Sequence, residues 1–370
     1  MQEIHDLDEF DRLVESAHHL DGVVVQGVDL VGRSTVLRSL SCVGATFLGC
    51  HYADGDVERL VGGGAAVFPR LQAIPFDPYR PSLYAQGELL RGWRPGGDFD
   101  TDALDSRIYR WASMHPKGSA LPVLDALAQR LHDHAIDDAL GDHLADHPEV
   151  TAVMGGHAML RTDAAFRFVA ELGRSMTREG WHVATGGGPG AMEAANLGAW
   201  LAPYDDDALD DALTMLAVEP DYRRADAYLT AGAAVLDRYP AGAQSLAVPT
   251  WFYGHEPTNQ FATHVAKYFA NSIREDGLLA IATRGVVFAP GAAGTTQEVF
   301  QDATQNHYAV FGNASPMVFL DADFWRQTLP AEPLLRTLAG DRPYASLIGV
   351  ADSAAEAIEF LLEHPPIVVD

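Results

Sequence analysis

From Glu149 onward the chain alternates two kinds of apolar pattern. Short unbroken runs at 150–154, 182–185, 245–248, 286–289, 317–320 and 347–350 have the length and continuity of strands covered on both faces. Between them, apolar residues recur every third or fourth position, which predicts helices over 164–177, about 262–281, 295–306, from Phe324, and over 353–364. Strands separated by helices of this length need crossover connections, so the expected fold is α/β, a parallel sheet with helices on both faces. Residues 202–243 break the alternation with an acidic helix at 205–216 and a second at 221–239, and read as a helical insertion or lid.

The first 145 residues follow a different rule. Val23-Val24-Val25, Ala45-Thr46-Phe47-Leu48 and Ala65-Ala66-Val67-Phe68 are short strands bounded by glycine. From Asp100 to about Leu144 the pattern turns helical, with Leu121, Leu124, Leu127 and Leu131 on one face of a segment ending near Gly141. Residues 1–145 are therefore expected to form a smaller N-terminal α+β domain, and 146–370 the main domain. Gly62-Gly63-Gly64 is a turn rather than a phosphate loop, because Pro69, Pro75, Pro78 and Pro81 exclude a following helix. His132, His134, His143 and His147 alternate with Asp in a strongly polar stretch, which reads as a solvated helix face and not a metal site.

Composition narrows the function. Among 370 residues, 51 Asp+Glu against 25 Lys+Arg leave a formal charge of −26, which repels phosphate backbones and anionic lipid. Nucleic acid and membrane surfaces are poor partners for such a chain. Only Lys117 and Lys267 are lysines, and no Gly-Lys-Ser/Thr phosphate loop exists. Two cysteines, Cys42 and Cys50, are too few for a disulfide scaffold, and the start carries no basic, apolar leader, so a reduced cytoplasm is expected.

Candidate chemistry sits in the glycine loops after the strands, where open α/β sheets bind ligands. Gly155-Gly156 follows the first strand of the main domain. Gly186-Gly187-Gly188-Pro189-Gly190-Ala191-Met192-Glu193 follows the second, and matches a dinucleotide fingerprint only by pattern: it is on the wrong strand, and no acidic residue closes the next strand. The third, Pro290-Gly291-Ala292-Ala293-Gly294-Thr295-Thr296-Gln297-Glu298, carries more. A strand ends at Pro-Gly, small residues enter a helix near Gly294, and Thr295 and Thr296 lie in its first turn. Free amides, hydroxyls and the helix dipole converge there on an anion such as a phosphate monoester. Glu298 shares that helix face one turn along, within a ribose length of the phosphate.

Taken together, Glu171-Leu172-Gly173-Arg174, the run Gly186 to Ala194 and the run Pro290 to Glu298 resemble the Lonely Guy (LOG) family of phosphoribohydrolases, whose signature is P-G-G-x-G-T-x-x-E. The resemblance covers roughly 149–364, and with Glu256-Pro257-Thr258-Asn259 it looks closer to the larger bacterial nucleotide 5′-monophosphate nucleosidases. It implies a Rossmann-like fold and hydrolysis of the N-glycosidic bond of nucleoside 5′-monophosphates, AMP or a cytokinin riboside monophosphate, without metal or cofactor. It further implies a homodimer or dimer of dimers, to which surplus apolar residues on the expected 262–281 helix (Val265, Tyr268, Phe269, Ile273, Leu278, Leu279) would contribute. By resemblance Glu298 is the catalytic carboxylate and Arg274 its arginine partner, with Arg284 as a spare. Gly291, Gly294, Thr295 and Thr296 form the phosphate cradle, and Gly155, Gly156, Gly187, Gly188, Gly190, Met192 and Glu193 take the rest of the nucleotide. The sequence departs from the signature at Ala292, which adds a methyl where backbone approaches ligand, and in the spacing of Arg274, sixteen residues before Pro290 rather than fifteen. A non-catalytic nucleotide sensor, or a carrier of a phosphorylated cofactor such as a pterin, is the alternative.

Overall fold

Short strands recur at intervals of about twenty residues at the start of the chain. In the computed structural model, which describes residues 2–115 and 119–369, β1 (Gln2–Ile4), β2 (Val23–Gln26), β3 (Thr46–Leu48) and β4 (Ala66–Phe68) pair in parallel in the order β1-β2-β3-β4. Helices α1 (Leu7–Ser16), α2 (Ser34–Ser39) and α3 (Asp56–Gly62) connect them. Val25, Phe47 and Val67 stand side by side in register. Equivalent groups meet 22 residues apart: His19 bridges Ser41, Asp29 bridges His51, Ser34 Oγ donates to Asp56 at 2.5 Å and Arg59 to the Leu37 carbonyl at 3.1 Å. The segment is thus a stack of near-identical coils, whose inward residues Val25, Leu30, Leu37, Phe47 and Leu60 form one core.

The chain divides into two compact units, Met1–Leu83 with His115–Leu140, and Tyr84–Met114 with Gly141–Asp370. Residues 84–114, grouped by sequence with the residues before them, belong to the second unit. There β5 (Tyr84–Ala85) forms the antiparallel edge strand of the large sheet, and α4 (Phe99–Asp102) and α5 (Leu104–Ala112) follow. Buried Asp105 on α5 explains why: it accepts from Lys267 Nζ at 2.8 Å, Thr258 Oγ1 at 2.8 Å and Trp251 Nε1 at 2.7 Å, so the segment is held by a satisfied buried ion pair.

Helix α6 (Val123–Ala145) runs through Gly141 instead of ending there. Its buried positions are Ala128, His132, Asp133, Ile136, Ala139 and Leu140, whereas Leu124 and Leu127 are exposed, so the leucine stripe is not the inner face. Nor is the histidine face solvated as expected. His134 alone of the four is exposed, His132 packs edge-on to Phe76, and His143 and His147 are half-buried beside His182.

The large sheet has the order β13-β12-β10-β6-β7-β8-β9-β5, parallel except for β5. Its strands are β6 (Val150–Met154), β7 (His182–Thr185), β8 (Leu246–Ala247), β9 (His264–Val265), β10 (Gly285–Phe288), β12 (Met317–Leu320) and β13 (Ile348–Ala351), and a separate antiparallel pair joins β11 (Asn313–Ala314) to β14 (Ile367–Val368). Helices α7 (Ala164–Arg178), α8 (Ala191–Trp200), α11 (Asn271–Ala280), α12 (Ala293–Tyr308), α13 (Ala331–Ala339) and α14 (Ala354–Glu363) make the crossovers, giving the expected Rossmann-like α/β architecture. Counted from β6, the six strands β8-β7-β6-β10-β12-β13 run 3-2-1-4-5-6, so the order reverses between β6 and β10. A crevice for a ligand opens at such a reversal, outside the carboxyl ends of those two strands.

Two expectations change. Residues 262–270 are not helical: they hold the two-residue strand β9 and a bridge from Tyr268 to Thr250, and the helix starts only at Asn271. Val265, Tyr268 and Phe269 are buried within the subunit, so the apolar surplus assigned to a dimer face is already covered. The segment 202–243 forms the two helices foreseen, α9 (Asp207–Leu216) and α10 (Ala225–Arg238), but α9 buries Leu209, Leu213 and Leu216 in the main core. Arg174 fastens its start by donating to the Tyr204 carbonyl at 2.7 Å, so it is a packed layer and not a loose lid.

Candidate active site

A cleft of about 850 Å³ lies at the reversal point, lined by Gly155 and Gly156 after β6, Gly186 to Gly188 after β7, and Pro290 to Thr295 after β10. That volume is in the range of small-molecule sites. Glycines from three loops line it, and glycine is required at two positions. Gly187 has φ +74°, and a Cβ there would meet Ala247 and Pro249 at 2.9 Å. A Cβ on Gly291 would lie 2.1 Å from Thr295 Oγ1.

Helix α12 starts at Ala293, with Ala292 as its N-cap at φ −111°, ψ −143°. Its φ is negative, so the signature's missing glycine is not needed here for a left-handed backbone, although ψ falls outside the broad β region. Alanine also makes no side-chain cap, which leaves the first amides of the helix facing the cleft without an intramolecular acceptor from it. Thr295 is buried and lines the cleft, but Thr296 does not: its hydroxyl donates back to the Ala292 carbonyl at 3.0 Å and is spent on the helix.

Glu298 enters the cleft one turn further along, its side chain 14% exposed. Arg274 on α11, which also lines the cleft, reaches it, Nη1 to Oε1 at 3.4 Å, and is itself held by Asn271 Oδ1 at 3.0 Å. Tyr253 stands behind Asn271, whose amide donates to the phenol oxygen at 3.0 Å. The displaced spacing of Arg274 thus still delivers the guanidinium to the carboxylate. Arg284, the spare, instead lies over Trp181 and 3.7 Å from Glu149, outside the cleft. Burial pushes the Glu298 carboxyl up to about 7, with Arg274 pulling it down and neighbouring Glu275 pushing it up. A carboxyl of this kind changes charge near neutral pH, a property common at catalytic centres.

On the other side of the cleft, Met192 lines the wall and its sulfur accepts from the Gly188 amide at 3.4 Å. Gly190 and Glu193 do not line it. Gly190 shapes the turn with φ +73°, and Glu193 is consumed by a buried pair with Arg161 at 2.5 Å and by the Tyr228 hydroxyl. Its carboxylate braces α8 against α10 and is not free for a ligand. Sequence reasoning passed over His157 and Glu256, which pair at 3.0 Å in the cleft, and Glu275, which accepts from Gln297 Nε2 at 2.7 Å. Glu256 sits within the quoted Glu256-Pro257-Thr258-Asn259 run. His157, directly after the Gly155-Gly156 turn, could have been found from that position alone. Lys267 reaches the cleft with its charge already met by Asp105.

No protein-family model matches the chain, and no curated protein matches it. Among solved structures it is similar to the molybdenum cofactor binding protein of Rippkaea orientalis, at 15% identity over 59% of this chain and 97% of that one with a TM-score of 0.38. It is also similar to the molybdenum cofactor carrier protein of Chlamydomonas reinhardtii, at 18% identity over 58% and 99% with a TM-score of 0.34. Likenesses this slight carry no weight for function.

Proposed function

We propose that this protein hydrolyses the N-glycosidic bond of a nucleoside 5′-monophosphate, releasing the base and ribose 5-phosphate. The observation that carries the reading is the Arg274–Glu298 pair, 3.4 Å apart in a cleft that is also lined by the start of α12, which has no side-chain cap. The 5′-phosphate lies on the amides of Ala293 to Thr295, favoured by the positive end of the helix dipole. From there the ribose extends along the helix face to Glu298. Cleavage develops oxocarbenium character at the anomeric carbon, and a fixed carboxylate stabilises that charge more in the transition state than in the ground state. Glu298 also accepts a proton from the attacking water, which suits a carboxyl poised near neutrality. Arg274 keeps enough of Glu298 ionised and spans the space between it and the phosphate. The base points toward Met192 and the His157–Glu256 pair, which brings proton-carrying groups to its side of the cleft.

The size of the cleft favours a second reading, in which the same phosphate cradle holds a larger phosphorylated cofactor without cleaving it. One experiment separates the two. Purified protein is incubated with AMP and with adenosine, and free adenine and ribose 5-phosphate are followed by chromatography. Hydrolysis of AMP far faster than of adenosine is expected. Tight AMP binding without product favours the carrier, and equal rates on both compounds refute the cradle. Glu298→Gln should keep AMP binding and lower turnover about 10³-fold, roughly 4 kcal/mol of transition-state stabilisation. The loop resemblance further leads us to expect a homodimer or dimer of dimers, readable by light scattering behind a sizing column.

A further inference from the structure

At the amino ends of the strands of the large sheet, four histidines from three separate stretches of chain come together. His143, in the last turn of α6, and His147, four residues on, share one side of that turn; His182 opens β7 and His264 opens β9. Ligand nitrogens of His143, His147 and His182 all lie within 4.8 Å of one another. The His143 and His182 Nε2 atoms are 3.0 Å apart, and the His264 ring centroid lies 4.4 Å from that of His143. With a zinc–nitrogen bond of about 2.0–2.1 Å, two ligands of a tetrahedral ion stand roughly 3.3 Å apart, so the closest pair already has nearly the spacing that an ion imposes.

The outer contacts prepare these rings as ligands. His147 Nδ1 lies 2.9 Å from the His143 carbonyl, which can only accept, so Nδ1 carries the proton and Nε2 keeps its lone pair. Thr263 Oγ1 donates to the Ser245 carbonyl at 2.9 Å and can therefore only accept from His264 Nδ1 at 3.0 Å, which frees His264 Nε2 in the same way. Burial, reinforced by the neighbouring imidazoles, pushes His143 down to about 4 and His182 to about 3, so protons do not compete for the lone pairs at neutral pH. Gln244 Oε1, itself an acceptor, lies 3.1 Å from His147 Nε2, so Gln244 must turn its amide or rotate aside to leave that lone pair to an ion.

We propose that His143, His147 and His182, with His264 closing the fourth side, bind one divalent transition-metal ion of the zinc class. Imidazole nitrogens without carboxylate or thiolate favour zinc, nickel or copper(II) over magnesium or calcium, and zinc accepts the tetrahedral arrangement without redox chemistry. The site lies at the amino ends of the strands, the glycine loops at their carboxyl ends. β7, four residues long, separates the two by about 10 Å along the strand. The ion is therefore structural: it ties the end of α6 to the starts of β7 and β9 and takes no part in the cleft.

The test uses the full chain without a polyhistidine tag, stripped with chelator and titrated with zinc sulfate in a calorimeter, with metal content read by mass spectrometry after gel filtration. One zinc retained per chain, a higher melting temperature with zinc, and visible d–d bands from cobalt(II) in its place are expected. His143→Ala combined with His147→Ala should abolish retention. Thr263→Val, which touches no ion but removes the acceptor that orients His264, should weaken binding about 10- to 100-fold. Zinc lost on gel filtration, or bound equally well by the double variant, overturns the proposal. If the double variant does not fold, unchanged zinc affinity in Thr263→Val overturns it instead.

Discussion

The charge state of Glu298 is where structure and activity can be joined quantitatively. Its carboxyl is held near 7 in place of the ordinary 4.5, which disfavours the ionised form by roughly 3 kcal/mol. Arg274, at 3.4 Å, opposes that rise. Its Coulomb attraction for the carboxylate runs from about 1 kcal/mol at the dielectric of water to about 5 kcal/mol at an effective dielectric of ~20. Arg274→Met should therefore move the carboxyl upward by roughly one to three pH units. In the wild type, kcat/KM for AMP should fall as pH drops through about 7, because the base form of Glu298 is lost there. In Arg274→Met the same limb should lie at least about one unit higher. A second readout needs no substrate. Because the folded-state value is raised, the native protein binds more protons than the unfolded chain between pH 4.5 and about 7. The contribution of Glu298 to stability is thus intact below 4.5 and is lost as pH climbs to 7. Glu298→Gln removes that loss, so it should match the wild type near pH 4 and exceed it by up to roughly 3 kcal/mol above pH 7 in urea unfolding. An acid limb that stays at 7 in Arg274→Met, together with a Gln variant that gains nothing at high pH, would refute the assignment.

Gly291→Ala forces Thr295 out of its buried place and should lower both the melting temperature and affinity for inorganic phosphate, whereas at Gly294 a Cβ meets nothing within 4 Å and Gly294→Ala should leave the melting temperature unchanged or higher. Lys267→Met strands Asp105 without its counter-ion in the interior and should cost about 3–5 kcal/mol in denaturant unfolding, while Asp105→Asn with Lys267→Met should recover much of it. Asp302, buried one turn beyond Glu298 on α12, is pushed well up by burial, so its cost to stability grows as pH rises above the ordinary carboxyl range. Asp302→Asn should therefore gain on the wild type between pH 5 and pH 8, by at most about 1.4 kcal/mol per pH unit, and an equal response of the two proteins to pH would show that Asp302 is ionised.

What the sequence determined by itself was whatever depends on neighbours in the chain. Both-face burial makes strands β6, β7, β10 and β12 continuous apolar runs, and glycine must follow where backbone turns tightly beside a ligand, so those strands and their loops were legible. The Gly-rich entry to α12 likewise made it the candidate anion cradle, and the place of Glu298 four residues on followed from helical geometry. Less visible was the recurrence of the N-terminal coils every 20 to 22 residues, present in the spacing of Gly22, Gly44 and Gly64 but masked by the brevity of each strand.

Tertiary structure decided whatever depends on partners distant in sequence. Residues 262–270 carry apolar spacing that suits a helix, yet β8 on one side and β5 on the other supply ladder bonds that hold His264 and Val265 as a strand. Glu193 and Thr296 match a motif by position, but Arg161, Tyr228 and the Ala292 carbonyl had claimed their polar groups. His143 and His147 look solvated beside Asp142 and Asp146, and only the pairing of β7 and β9 with β8 brings His182 and His264 to meet them. A side chain's chemistry is set by its type, but its availability is set by which groups desolvate it and occupy its hydrogen bonds, and those come from elsewhere in the chain.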